Sequence, residues 1–239
     1  MMNIAILGNT GAGKTTFIQQ MMKRFNKDYD NIIFNGKYQT IEDTYDPIML
    51  EEFYHDPFNT GFKNQLEKLF KTIKDITLIN YGRKAEHMLL DRSFLDVYVF
   101  TEAMNNLGML GKAEWDENDY PILKKYLDST FELFLNEIDL VVYLSSEYDI
   151  LLKNITTRGR KQEVESIHKD ELYGLGIQLN LEMEKLIEVL RSKKVKIIRL
   201  DSLSKHKLDS DEYIKALEIV NAVADLMETN ITVLPKNLT

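Results

Sequence analysis

The chain has 239 residues, of which 44% are hydrophobic, with four prolines, no cysteine and a formal net charge of −8. That length and apolar content fit one compact domain. The lack of cysteine excludes disulfides, cysteine–zinc sites and thiol catalysis. The acidic balance argues against DNA or RNA duplexes as partners, because neutralising phosphates needs a basic surface. No run of about 18 apolar residues occurs, so no membrane span is expected. The opening Met1-Met2-Asn3 carries no basic, cleavable leader, and a cytoplasmic location is expected from it.

In chain order, Asn3–Leu7 is the first apolar run of strand length, and Thr16–Met22 is helix-compatible. Between them lie Gly8, Asn9, Thr10, Gly11, Ala12, Gly13, Lys14 and Thr15, a complete GxxxxGK[ST] phosphate-binding loop. A strand feeding a helix through this loop aims backbone N–H groups and a helix N-terminus at one spot, which suits polyphosphate. Glycines Gly8, Gly11 and Gly13 are expected to supply positive φ and close backbone approach. Lys14 is expected to reach the outer phosphates and Thr15 to sit on Mg²⁺, with Thr16 completing the loop's contacts. The alternative, a chance match in a glycine-rich turn, does not explain the strand before it and the helix after it. A nucleoside triphosphate, ATP with Mg²⁺, is the expected ligand.

Further strands are expected within Ile32–Glu42 and at His87–Leu90, Asp139–Leu144 and Val195–Leu200, most of them short runs rich in Ile, Leu and Val. Such runs mark strands buried on both faces of a parallel sheet. Helical spacing places Leu66, Leu69, Phe70 and Ile73 on one face within Lys63–Lys74. It recurs in Tyr120–Ile138 and in Leu179–Leu190. Alternating strands and helices predict an α/β fold, a doubly wound, five-stranded parallel sheet of P-loop NTPase type, with ligands at the carboxyl ends of the strands. Residues 1–229 are expected to form this single domain, with 230–239 as a weakly patterned tail.

Three more places put chemistry near the phosphates. Asp91-Arg92-Ser93 follows an apolar strand: the carboxylate suits a second Mg²⁺ contact and Arg92 could stabilise transferring charge, while an N-cap is the plainer alternative. Arg158-Gly159-Arg160 could close as a cationic lid over residues of about 154–165, or be a solvated basic turn. Glu42, at an apparent strand end in Gln39-Thr40-Ile41-Glu42-Asp43, could serve as a base, or belong to an exposed acidic turn.

Taken together these stretches resemble the deoxynucleoside kinases, which phosphorylate the 5′-hydroxyl of deoxyribonucleosides. Glu42 is followed by Asp46-Pro47-Ile48-Met49-Leu50-Glu51-Glu52-Phe53-Tyr54-His55-Asp56-Pro57, like the family's step from catalytic glutamate to a Phe-Tyr-x-Asp-Pro turn. Gln65 falls where the family has a base-reading glutamine, Asp91-Arg92-Ser93 matches its (Glu/Asp)-Arg-Ser motif, and Arg158 to Glu163 matches its lid. The resemblance covers roughly residues 3 to 200 and is closest to the bacterial deoxyadenosine/deoxyguanosine kinases.

The resemblance implies roles for these residues. Glu42 would be the general base on the 5′-hydroxyl, with Arg92 holding it and, with Lys14, the phosphoryl path. Asp91 would join Thr15 on Mg²⁺, Tyr54 and Glu163 would grip the 3′-hydroxyl, Gln65 would pair with the base, and Arg158 and Arg160 would clamp the ATP phosphates. It also implies a homodimer, and it makes feedback inhibition by a deoxynucleoside triphosphate plausible.

Two departures stand out. Asn154 occupies the place of a further lid arginine, and Thr72 and Val97 replace an Arg–Asp couple that reads purines or cytosine, so the preferred base stays open. A nucleoside monophosphate kinase of thymidylate-kinase type is the alternative enzyme, disfavoured because Thr40–Tyr54 has no arginine or lysine for an acceptor phosphate. A GTPase-like switch is disfavoured because Asn26-Lys27-Asp28-Tyr29 misses the guanine motif and lies too early.

Overall fold

The computed structural model describes residues 2–26, 36–41, 47–81, 85–91, 93–110, 119–158 and 169–232. Five strands appear among them: β1 (Met2–Gly8), β2 (Tyr38–Ile41), β3 (His87–Asp91), β4 (Leu140–Ser145) and β5 (Lys196–Asp201). They form one parallel sheet in the order β2-β3-β1-β4-β5. Because all the pairs are parallel, each strand is joined to the next along the chain by a crossover that passes over a face of the sheet.

The crossovers carry the helices α1 (Lys14–Phe25), α2 (Pro47–His55), α3 (Pro57–Tyr81), α4 (Phe94–Asn106), α5 (Asp119–Leu135), α6 (Tyr148–Arg158) and α7 (Lys169–Ser192). The last helix, α8 (Asp211–Thr232), follows β5 and a 3₁₀ turn at Leu203–Lys205. It runs three residues into the segment expected as a tail; residues 233–239 lie outside the described part.

Side chains of each inner strand point alternately to two cores. Ala5, Leu7, Met88, Leu90, Val141 and Tyr143 join α4, α5 and α7 on one face. Ile4, Ile6, Leu89, Val142 and Leu144 meet α1 and α8 on the other. Burial on both faces, expected of most of the strands, holds for β1, β3 and β4. It fails for β5, where Lys196, Arg199 and Asp201 are exposed. The reason is its edge position: only β4 pairs with it, and its charges guard the open edge. Arg199 there binds Asp201 at 2.7 Å and Glu184 of α7 at 2.8 Å.

Two local devices fix the elements nearest the site. Ser93 caps α4, its hydroxyl accepting from Leu95 N at 3.2 Å. Glu182 of α7 is buried yet satisfied: its Oε1 accepts from Asn106 of α4 at 2.9 Å, from Gln178 at 2.9 Å and from Lys185 at 2.6 Å, which ties α7 to α4.

Phe94, fully buried at the start of α4, packs against Phe134 and Phe131 of α5 with ring centroids 5.6 and 6.4 Å apart. Phe94→Ala should lower unfolding stability by about 3–5 kcal/mol. Urea denaturation checks this, and a loss under about 1 kcal/mol would show that the α4–α5 packing does not hold this face.

Candidate active site

The site starts where β1 ends. Gly8 closes the strand with ordinary backbone angles, so it does not supply the positive φ expected of it. It supplies space instead: a Cβ there would stand 2.9 Å from Leu144 O on β4. Gly11 and Gly13 do take positive φ, 83° and 88°, and Gly13 is the N-cap of α1. The turn is closed by Ala12 N donating to Asn9 O at 3.1 Å. The result is a backbone cradle ahead of a helix N-terminus.

Lys14 is buried, and its Nζ donates to Gly8 O at 2.5 Å and lies 3.4 Å from Asn9 O. The buried carboxylate of Asp96, on α4, stands 3.7 Å from it. A buried ammonium needs such partners, and Asp96 is one of them. Thr15 points out of the helix start and donates its hydroxyl to Asp91 Oδ2 at 2.7 Å. Asp91 Oδ1 is buried with no hydrogen-bond partner among the described residues. Asp91 ends β3, immediately beside β1, so the strand order itself brings it to Thr15. Within this triplet Ser93 is the N-cap of α4, as the plainer alternative had it, and Asp91 faces the loop.

A cavity of about 520 Å³ opens over the loop. Its floor is Gly11 to Thr16 with Asp91, one wall is Asn154, Thr157 and Arg158 of α6, and its far end is Leu203, Ser204, His206, Leu208 and Tyr213. Asn154 donates to Gly11 O at 3.0 Å, so the residue standing where a lid arginine was expected binds the loop backbone. Arg158 is the exposed last residue of α6 at the cavity edge. The far end was missed in the sequence. Asp201, which ends β5, is held by Arg199, and the lining residues come just after it. A loop following the last strand at the carboxyl edge of the sheet was the available signal.

A second cavity, about 440 Å³, lies beside the loop and shares Asn9 with the first. Its walls are mostly apolar and aromatic, among them Phe53 and Tyr54 of α2, Phe100 of α4, Tyr148 of α6 and Tyr173 of α7. Tyr54 thus stands with the loop residues Asn9 and Thr10. Burial raises the Tyr148 hydroxyl above its ordinary pKa, keeping it neutral. Gln65 of α3 is buried against α4. Its amide lies 3.3 Å from Met104 Sδ, and Thr101 Oγ1 lies 3.4 Å from its Oε1. Its Nε2 also lies 3.4 Å from Asn64 Oδ1, so both ends of the amide have protein contacts, and Gln65 is not among the residues that line either cavity. Thr72 and Val97 are both buried and uncharged, and the Thr72 hydroxyl donates to Lys68 O at 2.9 Å. Glu42, Arg92, Arg160 and Glu163, as well as Trp115, lie outside the described residues.

The arrangement can bind a polyphosphate in the first cavity and a flat, partly apolar molecule in the second, with the phosphate loop between them. Comparison with known proteins identifies the family. A family model described as deoxynucleoside kinase matches residues 4–227. A fowlpox virus protein described as a probable deoxycytidine kinase is 27% identical over 168 residues, covering 67% of this chain and 63%, just under two thirds, of its own length. A deoxyadenosine kinase of Dictyostelium discoideum is 27% identical over 191 residues, covering 79% of this chain and 71% of its own. The solved structure of deoxyadenosine kinase from M. mycoides with bound dATP matches in fold with a TM-score of 0.70 at 21% identity, covering 92% of this chain and 100% of that one. Because the family model spans nearly the whole sequence, from the first strand to the last helix, the chain belongs to the deoxynucleoside kinase family.

Proposed function

We propose that the protein transfers the γ-phosphoryl group of ATP to the 5′-hydroxyl of a deoxyribonucleoside. The observation that carries this reading is the shared loop: the residues that cradle phosphate also border a second, aromatic-walled cavity beside Tyr54. A flat base and sugar suit such a pocket. ATP occupies the first cavity, its adenine toward Leu203, Leu208 and Tyr213, and Arg158 with Arg160 closes as a lid on the phosphates.

The residues divide the work by chemistry. Glu42 removes the proton of the 5′-hydroxyl, and Arg92 keeps that carboxylate ionised. Tyr54 and Glu163 share the 3′-hydroxyl of the sugar. Gln65 presents both a donor and an acceptor to the base edge, exchanging its contacts at 3.4 Å with Asn64 and Thr101 for those to the base. Thr72 and Val97, both buried and uncharged, stand where the charged couple of other members would be.

Mg²⁺ fits the loop: the orphaned Asp91 Oδ1 and the Thr15 hydroxyl next to it are hard oxygen donors of the kind it takes. Bound there with phosphate oxygens, it would neutralise charge on the transferring group. Among the described residues no cluster of three His, Asp or Glu forms a protein-only cage, which suits a cation held largely by its nucleotide.

The protein acts as a homodimer in this reading. The exposed apolar side chains Phe70 and Ile73 on α3 and Ile122, Tyr126 and Leu133 on α5 supply a surface for it. Residues 1–229 act as one catalytic domain, and a cytoplasmic location fits a cysteine-free chain that consumes ATP. No described helix is long and apolar enough to cross a membrane.

Glu42→Gln should keep ATP binding while lowering kcat by roughly 10²-fold or more; near-normal turnover would remove Glu42 from the role of base. Gln65→Ala should raise KM for the nucleoside and leave KM for ATP nearly unchanged. Steady-state kinetics with each substrate varied in turn check this, and an equal rise in both constants would contradict base recognition by Gln65.

A further inference from the structure

The Asn9 side chain leaves the loop towards α7. It is buried, and its amide is fully engaged. Nδ2 donates to Gly176 O at 2.8 Å and to Asn180 Oδ1 at 2.9 Å, both on α7, while Oδ1 accepts from Thr10 N at 2.7 Å. Asn180 carries the link onward, its Nδ2 lying 3.3 Å from Ser146 O just past β4. Gly176 makes the approach possible. A Cβ there would stand 2.2 Å from the Tyr148 ring, so only glycine lets this stretch of α7 pack so close to α6. Tyr148 in turn meets Tyr173 edge-on at 4.6 Å. Tyr148, Tyr173 and Gly176 all line the second cavity, whereas Asn9 borders both cavities.

The phosphate loop and the α7 wall of the second cavity are therefore joined by one amide. Asn9 O also lies 3.4 Å from Lys14 Nζ, so the ammonium expected to meet phosphate touches the residue that makes the link. We propose that Asn9, through Asn180, is a positioning residue that couples the two cavities, so that a nucleoside triphosphate and a deoxynucleoside tighten each other's binding. The inference rests on the proposed function for its assignment of the second cavity to the acceptor. A ligand that fixes the loop also fixes the wall, and the ordering cost is met once for both ligands. Linkage then makes the effect reciprocal.

Asn180 lines neither cavity, and it is the place to break the link. The test is calorimetric titration of Mg²⁺ with β,γ-imido-ATP, and of a deoxynucleoside that the wild type turns over, each alone and with the other saturating. The wild type should show at least about a fivefold gain in affinity for each ligand when the other is bound. Asn180→Leu, which removes one of the two α7 acceptors for Asn9 and its onward contact with Ser146 O while Gly176 O remains, should lower that ratio at least about twofold and lower kcat. Asn180→Asp keeps an oxygen for Asn9 and should retain most of the ratio. Its added negative charge weakens triphosphate binding equally in both titrations, so it cancels from the ratio. Should Asn180→Leu fail to fold, Asn180→Ala removes the same oxygen without bulk.

A wild-type ratio near one, or an unchanged ratio in the Leu or Ala variant, overturns the coupling while leaving the proposed function standing. Absence of turnover with any deoxynucleoside overturns both.

Discussion

The whole site depends on how close the backbone can come at the carboxyl end of β1. Gly8 fits under Leu144 O only because it has no Cβ, and Gly11 is confined in the same way, a Cβ there standing 2.8 Å from Leu151 O on α6. With positive φ at Gly11 and Gly13, these contacts let the chain reverse within a few residues and enter α1 directly. Everything chemical hangs on that turn. Lys14 folds back on the loop carbonyls, Thr15 meets Asp91 on the neighbouring strand, and Asn154 closes on Gly11 from α6. A side chain added at Gly8 or Gly11 would shift all of these together.

The same turn concentrates charge that must be balanced before any ligand arrives. Lys14 is nearly excluded from solvent, and it faces two carbonyls and the carboxylate of Asp96. These groups hold an ammonium that the proposed function brings to bear on phosphate, and the exchange of partners sets part of the nucleotide's binding energy. Asp91 shows the complementary arrangement, with one oxygen taken by Thr15 and the other buried and unpartnered among the described residues. An acidic oxygen left without a donor beside a phosphate cradle suits a cation better than a protein hydrogen bond.

Much of the fold was legible because its signals are local. Continuous apolar runs at Asn3–Leu7, His87–Leu90 and Asp139–Leu144 became inner strands, each within a residue of its expected bounds. The glycine spacing marked the cradle, though not which glycine serves φ and which serves space, because that depends on Leu144 and Leu151 from distant parts of the chain. Edge position made β5 partly exposed, a property of strand order that its own residues do not encode. The contact of Asp96 with Lys14 was hidden for the same reason: it depends on how α4 leaves β3 next to β1. Asn9 was legible as a loop residue but not as a link, since its partners lie more than 160 positions away.

The most direct test of the account is ADP release from Mg-ATP with each of the four deoxynucleosides, and with their monophosphates alongside. The account predicts turnover with one or more deoxynucleosides and none with the monophosphates, and the identity of the best substrate would define what a pocket with Thr72 and Val97 in place of charges selects. Turnover with a monophosphate alone would contradict it, moving Arg92 to an acceptor phosphate and removing Glu42 from the role of base.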